Sequence, residues 1–375
     1  MRIGINASSL KNAHSGIANY LLNLVLNLKK VDQRNEYVLF FGSEKNVPGQ
    51  IAGAGVECNI SKMPTTNQAL KILWAHFMLP LKLKRMKIDL FHEPASAAPL
   101  FNSCNTVVTV HDIAYERIPH CYRFRDRAYF RALSKKGLER ANRIIAVSHS
   151  TKNDIVDRYS ISPGKIRVIY EGIDEIYRRL HDKERCKNIR KFYKIDRDFI
   201  LYVSGITPRK NLVRLIKAFK ILKDRKEIDS LLVFVGEKAW WSEEVFEEVK
   251  SSGMENDVIF CGYVPKEHLL CLYSEASVFV FPSLYEGFGL PVLEAMACGC
   301  PVVASNTSSL PEICGGAGLL FDPLDVEGLS DAIYRVITDS SLRQDLIEKG
   351  IERTRAFSWR RSAEETLAVY SEAVS

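Results

Sequence analysis

Long apolar runs are missing from this chain of 375 residues. None approaches the ~18 consecutive apolar residues that a membrane-crossing helix requires. The opening Met-Arg-Ile-Gly-Ile-Asn reads as a first β-strand, without the apolar centre of a signal peptide. A soluble, cytoplasmic-type protein is the expectation. The nine cysteines, scattered from Cys58 to Cys314, contain no C-x-x-C pair. An odd, dispersed set argues for reduced core thiols and against a zinc site or a disulfide frame, and Cys298-Gly-Cys300 falls at an apolar helix-to-strand junction. No G-x-x-x-x-G-K-[ST] run is present, and Gly287-Phe288-Gly289 lacks the third glycine and acidic partner of a dinucleotide fold. Short-period repeats and low-complexity tracts are absent too. Nor is the charge strongly one-sided: 52 basic residues against 45 acidic ones leave +7. That excess is too mild to argue for nucleic acid, and it suits anionic small molecules or an anionic membrane surface equally well.

What remains is ordinary globular material, 46% apolar and 26% charged, long enough for two large domains. Short β-branched runs alternate with amphipathic segments of helical length. One series of strands is expected at Arg2–Ala7, Tyr37–Gly42, Ile88–His92, Thr106–His111, Arg143–Ser148 and Ile166–Tyr170. A second is expected at Phe199–Ser204, Leu231–Gly236, Val258–Cys261, Ser277–Pro282, Pro301–Ser305 and Leu319–Phe321. Near-continuous apolar strands joined by helices mean parallel sheets covered on both faces. The fold class is therefore α/β, with two doubly wound, Rossmann-like domains over 1–173 and 199–357. The charged stretch 174–198 reads as a linker, and 358–375 as a last helix able to pack back on the first domain. Ligands of such sheets sit at the carboxyl ends of the strands, which places the expected site in a cleft between the domains.

The most informative segment is Phe281-Pro-Ser-Leu-Tyr-Glu-Gly-Phe-Gly-Leu-Pro-Val-Leu-Glu-Ala-Met-Ala-Cys-Gly-Cys-Pro-Val-Val-Ala. A strand runs into a loop carrying Glu286 and the Gly287-Phe288-Gly289 turn, and a helix starts at Leu290-Pro291, proline being suited to a first helical position. Glycine amides plus a helix start make an anion cradle. Glu286 and Glu294 are poor phosphate ligands but good acceptors of sugar hydroxyls; the plainer reading is a helix-stabilising acid and a solvated one. In Val203-Ser-Gly-Ile-Thr-Pro-Arg-Lys-Asn-Leu, Arg209 and Lys210 are expected to open a helix after a strand, where two cations neutralise a diphosphate.

In the context E-G-F-G-L-P-x-L-E-A-M-A-x-G-x-P-V, Glu286, seven intervening residues and Glu294 resemble the signature of the retaining glycosyltransferases of family 4, which have the GT-B fold. The resemblance covers essentially the whole chain. It implies that Glu286 and the amides of Gly287, Phe288 and Gly289, with Leu290 at the helix start, hold the transferred sugar, and that Glu294 holds the ribose. It implies that His111, in the His111-Asp112 pair ending a strand, lies beside the donor sugar. It also implies that the loop at Ser15-Gly16-Ile17-Ala18 closes over the diphosphate or orients the acceptor. Gly205 stands where family members commonly carry an arginine, and Lys210 keeps the lysine position. The implied activity is metal-independent, cofactor-free transfer of a hexose from a nucleotide-diphosphate sugar, with GDP-mannose the first guess, to a glycan or lipid-linked acceptor. Two rivals share this architecture: a nucleotide-sugar 2-epimerase and a silent sugar-nucleotide-binding protein. Asp196-Arg197-Asp198 matches a metal-binding D-x-D but precedes a strand instead of following one. Trp240-Trp241 could stack on a base or acceptor, with core packing the commoner fate of such a pair. The basic, aromatic stretch Leu70–Lys87, together with Tyr122–Arg140, suits peripheral contact with anionic lipid, or a sheet-covering helix with a wet face.

Overall fold

The computed structural model describes residues 1–11, 15–42, 47–61, 73–95, 98–101, 104–238 and 241–375. They form two compact units, Met1–Gly172 with Ser358–Ser375, and Ile173–Phe357.

The first unit holds β1 (Arg2–Asn6), β2 (Glu36–Phe41), β3 (Glu57–Ile60), β4 (Leu90–Glu93), β5 (Asn105–Val110), β6 (Arg143–Ala146) and β7 (Ile166–Val168). All pair in parallel, in the order β3-β2-β1-β4-β5-β6-β7. β3 is one strand more than the sequence pattern predicts. Its Glu57-Cys58-Asn59-Ile60 is a half-buried edge with no continuous apolar run to mark it. The helix Gly16–Val31 starts at Ser15, whose hydroxyl accepts the Ala18 N–H at 3.2 Å. It buries Leu21, Leu24, Val25 and Leu28 on one stripe. Each leucine so buried contributes ~1.5–3 kcal/mol. Ala363, Val369, Tyr370 and Ala373 of the helix Trp359–Val374 enter the same core, so the end of the chain is part of the first unit.

The second unit holds β8 (Phe199–Val203), β9 (Leu231–Val235), β10 (Val258–Gly262), β11 (Val278–Phe281), β12 (Val302–Ser305) and β13 (Leu319–Phe321), again parallel, in the order β10-β9-β8-β11-β12-β13. β8, β9, β11 and β12 are buried along their whole length, which explains their unbroken apolar composition. The expected linker 174–198 is corrected by the structure. It contains the helix Lys183–Phe192, capped by Asp182, which buries Cys186 and Ile189 against the helix Lys266–Glu275. Dense surface charge hides this narrow apolar stripe in the sequence. Each sheet reverses its direction of growth once, between β1 and β4 and between β8 and β11. Loops diverge at such points and leave a crevice at the carboxyl ends of the strands. Among the described residues, no helix is long and apolar enough to cross a membrane.

Candidate active site

The β8/β11 switch point assembles most of the expected chemistry. Arg209 and Lys210 lie in the short turn Pro208–Lys210 after β8. Contrary to expectation they do not open a helix. Asn211 adopts a left-handed conformation (φ 62°) and separates the turn from the helix Leu212–Asp224. The buried Asn211 amide donates to the carbonyls of Pro282 (3.0 Å) and Pro323 (2.8 Å), tying the β8 loop to the ends of β11 and β13.

Glu286, on the loop after β11, is the centre of the cluster. Its Oε1 accepts from Lys210 Nζ at 2.6 Å, and its Oε2 lies 2.7 Å from an Arg209 guanidinium nitrogen. That guanidinium also donates to the Tyr285 carbonyl at 2.6 Å. Lys210 sits over the Phe281 ring, 4.6 Å from its centroid. Burial raises the Glu286 carboxyl, but the charges and hydrogen bonds of Arg209 and Lys210 outweigh it and hold the group at about 2. The result is an ionised carboxylate held between a guanidinium and an ammonium group. Each carboxylate oxygen has two lone pairs and gives one to a cation, which keeps capacity for a sugar hydroxyl.

The loop itself is fixed from β12. Ser308 accepts the Glu286 N–H at 2.8 Å, and buried Ser309 donates to the carbonyls of Glu286 (3.0 Å) and Phe288 (2.6 Å). Gly289 has φ 121° and caps the helix Leu290–Ala297. A β-carbon there would meet Leu310 Cδ2 at 3.0 Å. Phe288 packs edge-on to Phe357, ring centroids 5.9 Å apart, which pins the middle of the turn. Leu290 opens the helix, and Glu294 follows one turn on. Burial pushes the Glu294 carboxyl up to about 7, against hydrogen bonds from Tyr273 (3.1 Å) and Tyr177 that favour the ionised form. Gly205 follows β8, and its carbonyl accepts from the Tyr202 hydroxyl at 3.2 Å. A β-carbon at Gly205 would come no closer than 3.8 Å to a neighbour, the Glu237 carbonyl.

The first unit places His111 just past β5. One ring nitrogen, Nε2, lies 3.0 Å from the Pro94 carbonyl and therefore donates to it; Nδ1 lies 3.0 Å from Glu171 Oε1. Tyr20 packs edge-on at 4.7 Å. Both nitrogens and one edge of the imidazole are thus held by the protein. At the β1/β4 switch point, the Asn6 amide donates to Glu93 at 2.7 Å, and burial pushes that carboxyl up to about 7. Behind it, buried His92 bridges Tyr370 (2.7 Å) and Thr109 (2.8 Å) and is held down at about 3 by burial. Gly16 begins the first helix, with open space where a β-carbon would stand.

The second unit thus brings together Arg209, Lys210, Glu286 and the Gly287–Leu290 turn, with Glu294 one helical turn beyond, while His111 and Gly16 belong to the first unit. Sequence reasoning missed Ser308, Ser309, Glu93 and Glu171. A signal existed for the serines, since Thr307-Ser308-Ser309 follows a fully buried strand. Asp196 and Asp198 flank Arg197 at the amino end of β8, where Arg197 binds Asp229 (3.0 Å) and Asp257 (3.1 Å). Trp240 lies outside the described residues; Trp241 is 40% exposed, outside the core, with a left-handed backbone (φ 56°) ahead of the helix Glu243–Ser251.

Comparison with known proteins bears on the family and the fold. Residues 14–176 match the model of glycosyltransferase family 4, and residues 184–353 match that of glycosyl transferases group 1. The O-antigen chain mannosyltransferase B of Escherichia coli is 30% identical over 99% of both chains. The MMP α-(1→4)-mannosyltransferase of Mycolicibacterium hassiacum is 29% identical over 66% of this chain and 58% of its own. In fold, the chain is similar to Anabaena HepE solved with UDP and glucose (TM-score 0.80, 19% identity, 99% of both chains). It is similar also to WaaG, a glycosyltransferase involved in lipopolysaccharide biosynthesis (TM-score 0.77, 16% identity, 98% of this chain and 99% of the other). These likenesses fix the GT-B class of the two α/β units. They offer no support to an epimerase or a silent binder. With two family models spanning both units and a full-length relative, the chain belongs to the family-4 glycosyltransferases.

Proposed function

We propose that this glycosyltransferase moves mannose from GDP-mannose, with retention of anomeric configuration and without a metal, to a glycan or lipid-linked acceptor at the cytoplasmic face of a membrane. The observation that carries the mechanism is the Arg209–Glu286–Lys210 cluster at the β8/β11 switch point. Breaking the anomeric C–O bond puts new negative charge on the diphosphate. Arg209, Lys210 and the amides of the Gly287–Leu290 turn stabilise it, each donor contributing ~2–4 kcal/mol. Glu286 accepts hydroxyls of the sugar as it becomes oxocarbenium-like, and Glu294 accepts those of the ribose. The acceptor oxygen attacks on the face that the diphosphate leaves. A departing phosphate oxygen takes its proton, so the sequence needs no separate base. Mannose and the membrane setting are supported by relatives named as O-antigen mannosyltransferases and by a basic, apolar surface on the first unit.

Incubation of the purified protein with GDP-mannose, UDP-glucose and UDP-N-acetylglucosamine tests this reading. The expected result is slow release of GDP and mannose, with the others turned over less. A preference for a UDP-sugar overturns the donor, and interconversion of the sugar overturns transfer. Lys210→Ala is expected to lower kcat by about a hundredfold or more while nucleoside binding changes little.

A further inference from the structure

Residues Leu73–Arg85 and the helix Phe124–Arg140 carry features the reaction does not use. The π-helical turn Trp74–Met78 continues into the helix Leu79–Arg85. Leu79 and Leu83 face inward, packed with Val38, Phe40 and Phe91. On the other side Leu73, Phe77, Met78 and Leu81 each stand about half exposed, as does Phe101. A helix apolar on two sides has two partners, and the sheet is only one of them. The Phe77 and Phe101 rings pack at 5.3 Å on the surface, and the Arg140 guanidinium covers Phe101 at 5.6 Å. A cavity of about 590 Å³ opens beside them, walled by Pro80, Leu81, Leu100 and Phe101, with Lys84 and Arg140 among its lining residues. Along the same stretches of chain the exposed charge is mostly positive, Arg85, Lys87, Lys135 and Lys136 against Asp89 and Glu139.

We propose that this cavity binds one anionic phospholipid of the bilayer, its acyl chain between Leu81 and Phe101 and its phosphate on Lys84 and Arg140. The proposal rests on the membrane setting given above and names the lipid contact that provides it. The apolar walls account for the chain, and the charge of the rim for the anionic head. Position decides between a bilayer lipid and the lipid of an acceptor. Thr106 and Asn142, also lining the cavity, mark the amino ends of β5 and β6. His111 lies past the other end of β5, five residues on, roughly 16 Å at ~3.3 Å per residue. A lipid here holds the enzyme to the surface and leaves the carboxyl ends of the strands to the reactants.

The test uses the full chain, Leu81→Asn and Phe101→Ser, and a Lys84→Gln/Arg140→Gln double variant. Dodecyl phosphate below its micellar concentration is titrated beside dodecanol and inorganic phosphate. Saturable binding of dodecyl phosphate alone, weakened about tenfold in each variant, is expected. Equal binding of inorganic phosphate, or no binding of dodecyl phosphate, overturns the site. Flotation with vesicles of equal parts phosphatidylglycerol and phosphatidylcholine, against pure phosphatidylcholine, separates the two levels of the argument. If the parent chain ignores both vesicles, the membrane setting fails. If it floats with the anionic vesicles and Leu81→Asn and Phe101→Ser float equally well, only the cavity assignment fails. Both apolar variants are expected to keep the rate of GDP-mannose hydrolysis, which shows that they are folded.

Discussion

Replacing Glu286 by glutamine preserves its shape and removes its charge, and the consequences differ in sign between binding and turnover. In the parent chain the carboxyl is held at about 2 against an ordinary 4.5. At about 1.4 kcal/mol per pH unit, the ionised group contributes about 3 kcal/mol to the fold, and only a tenth of the side chain is exposed to weaken that figure. A depressed carboxyl contributes its stability above the ordinary value and loses it as the pH falls toward the folded one. Glu286→Gln is therefore expected to unfold up to about 3 kcal/mol more easily at neutral pH, with the difference from the parent closing between pH 4.5 and about 2. Urea titrations across that range read it directly. The variant also changes the local charge of the cluster from one net positive to two, because Arg209 and Lys210 keep theirs. Nucleoside diphosphate is then expected to bind more tightly, by roughly threefold to tenfold, while kcat falls about a hundredfold with the loss of the sugar contact. Calorimetry with GDP and initial-rate assays with GDP-mannose give the two numbers. A parallel loss of affinity and rate would refute the idea that the carboxylate is the counter-charge of a diphosphate site. An unchanged rate would refute its contact with the sugar.

Glu294 titrates near neutrality, at about 7. Ribose hydroxyls donate to the ionised form, so GDP affinity is expected to rise from about pH 6 to about pH 8 in the parent and to stay flat in Glu294→Gln, as measured by calorimetry at each pH. The same raised carboxyl opposes folding once ionised, so its contribution is fully present below 4.5 and fades as the pH rises to about 7; the thermal midpoint of Glu294→Gln is expected to fall less than the parent's over that interval. Gly289→Ala places a β-carbon at φ 121° and 3.0 Å from Leu310. A loss of about 1–3 kcal/mol in urea titration is expected, together with a lower kcat as the turn shifts away from Glu286. Glu171→Ala removes the oxygen that holds His111 Nδ1, and an about tenfold fall in kcat at unchanged KM for donor is expected. Glu171→Gln, which keeps an acceptor oxygen there, should restore most of the rate.

The parts of the molecule legible in the sequence share one property: their signal is contained in a few consecutive residues. Unbroken runs such as Phe199–Val203 and Val278–Phe281 are buried on both faces, so composition alone marks them as strands of a parallel sheet. The loop chemistry of Glu286 through Leu290 is equally local, since the glycines, the proline and the acids must occur together to work together. What stayed hidden depends on partners distant in the chain. β3 is a strand only because Val38–Phe41 offers it an edge, and the helix Lys183–Phe192 is visible only once the helix Lys266–Glu275 covers Cys186 and Ile189. Ser309 gains its role from carbonyls 21 and 23 residues earlier, and Glu171 from an imidazole 60 residues back. The hidden residues include the ones that hold the legible ones in place. Sequence reading therefore singles out Glu286 and His111, and the structure adds the partners that surround them. It offers Glu286 as an acceptor of sugar hydroxyls, and the structure shows that each of its oxygens also meets a cation. It places His111 beside the donor through either its backbone carbonyl or its ring, and the structure shows both ring nitrogens engaged. For His111 this shifts the available chemistry from the imidazole nitrogens to the shape and placement of the segment that carries it, and makes Glu171, not His111 alone, the informative position to mutate.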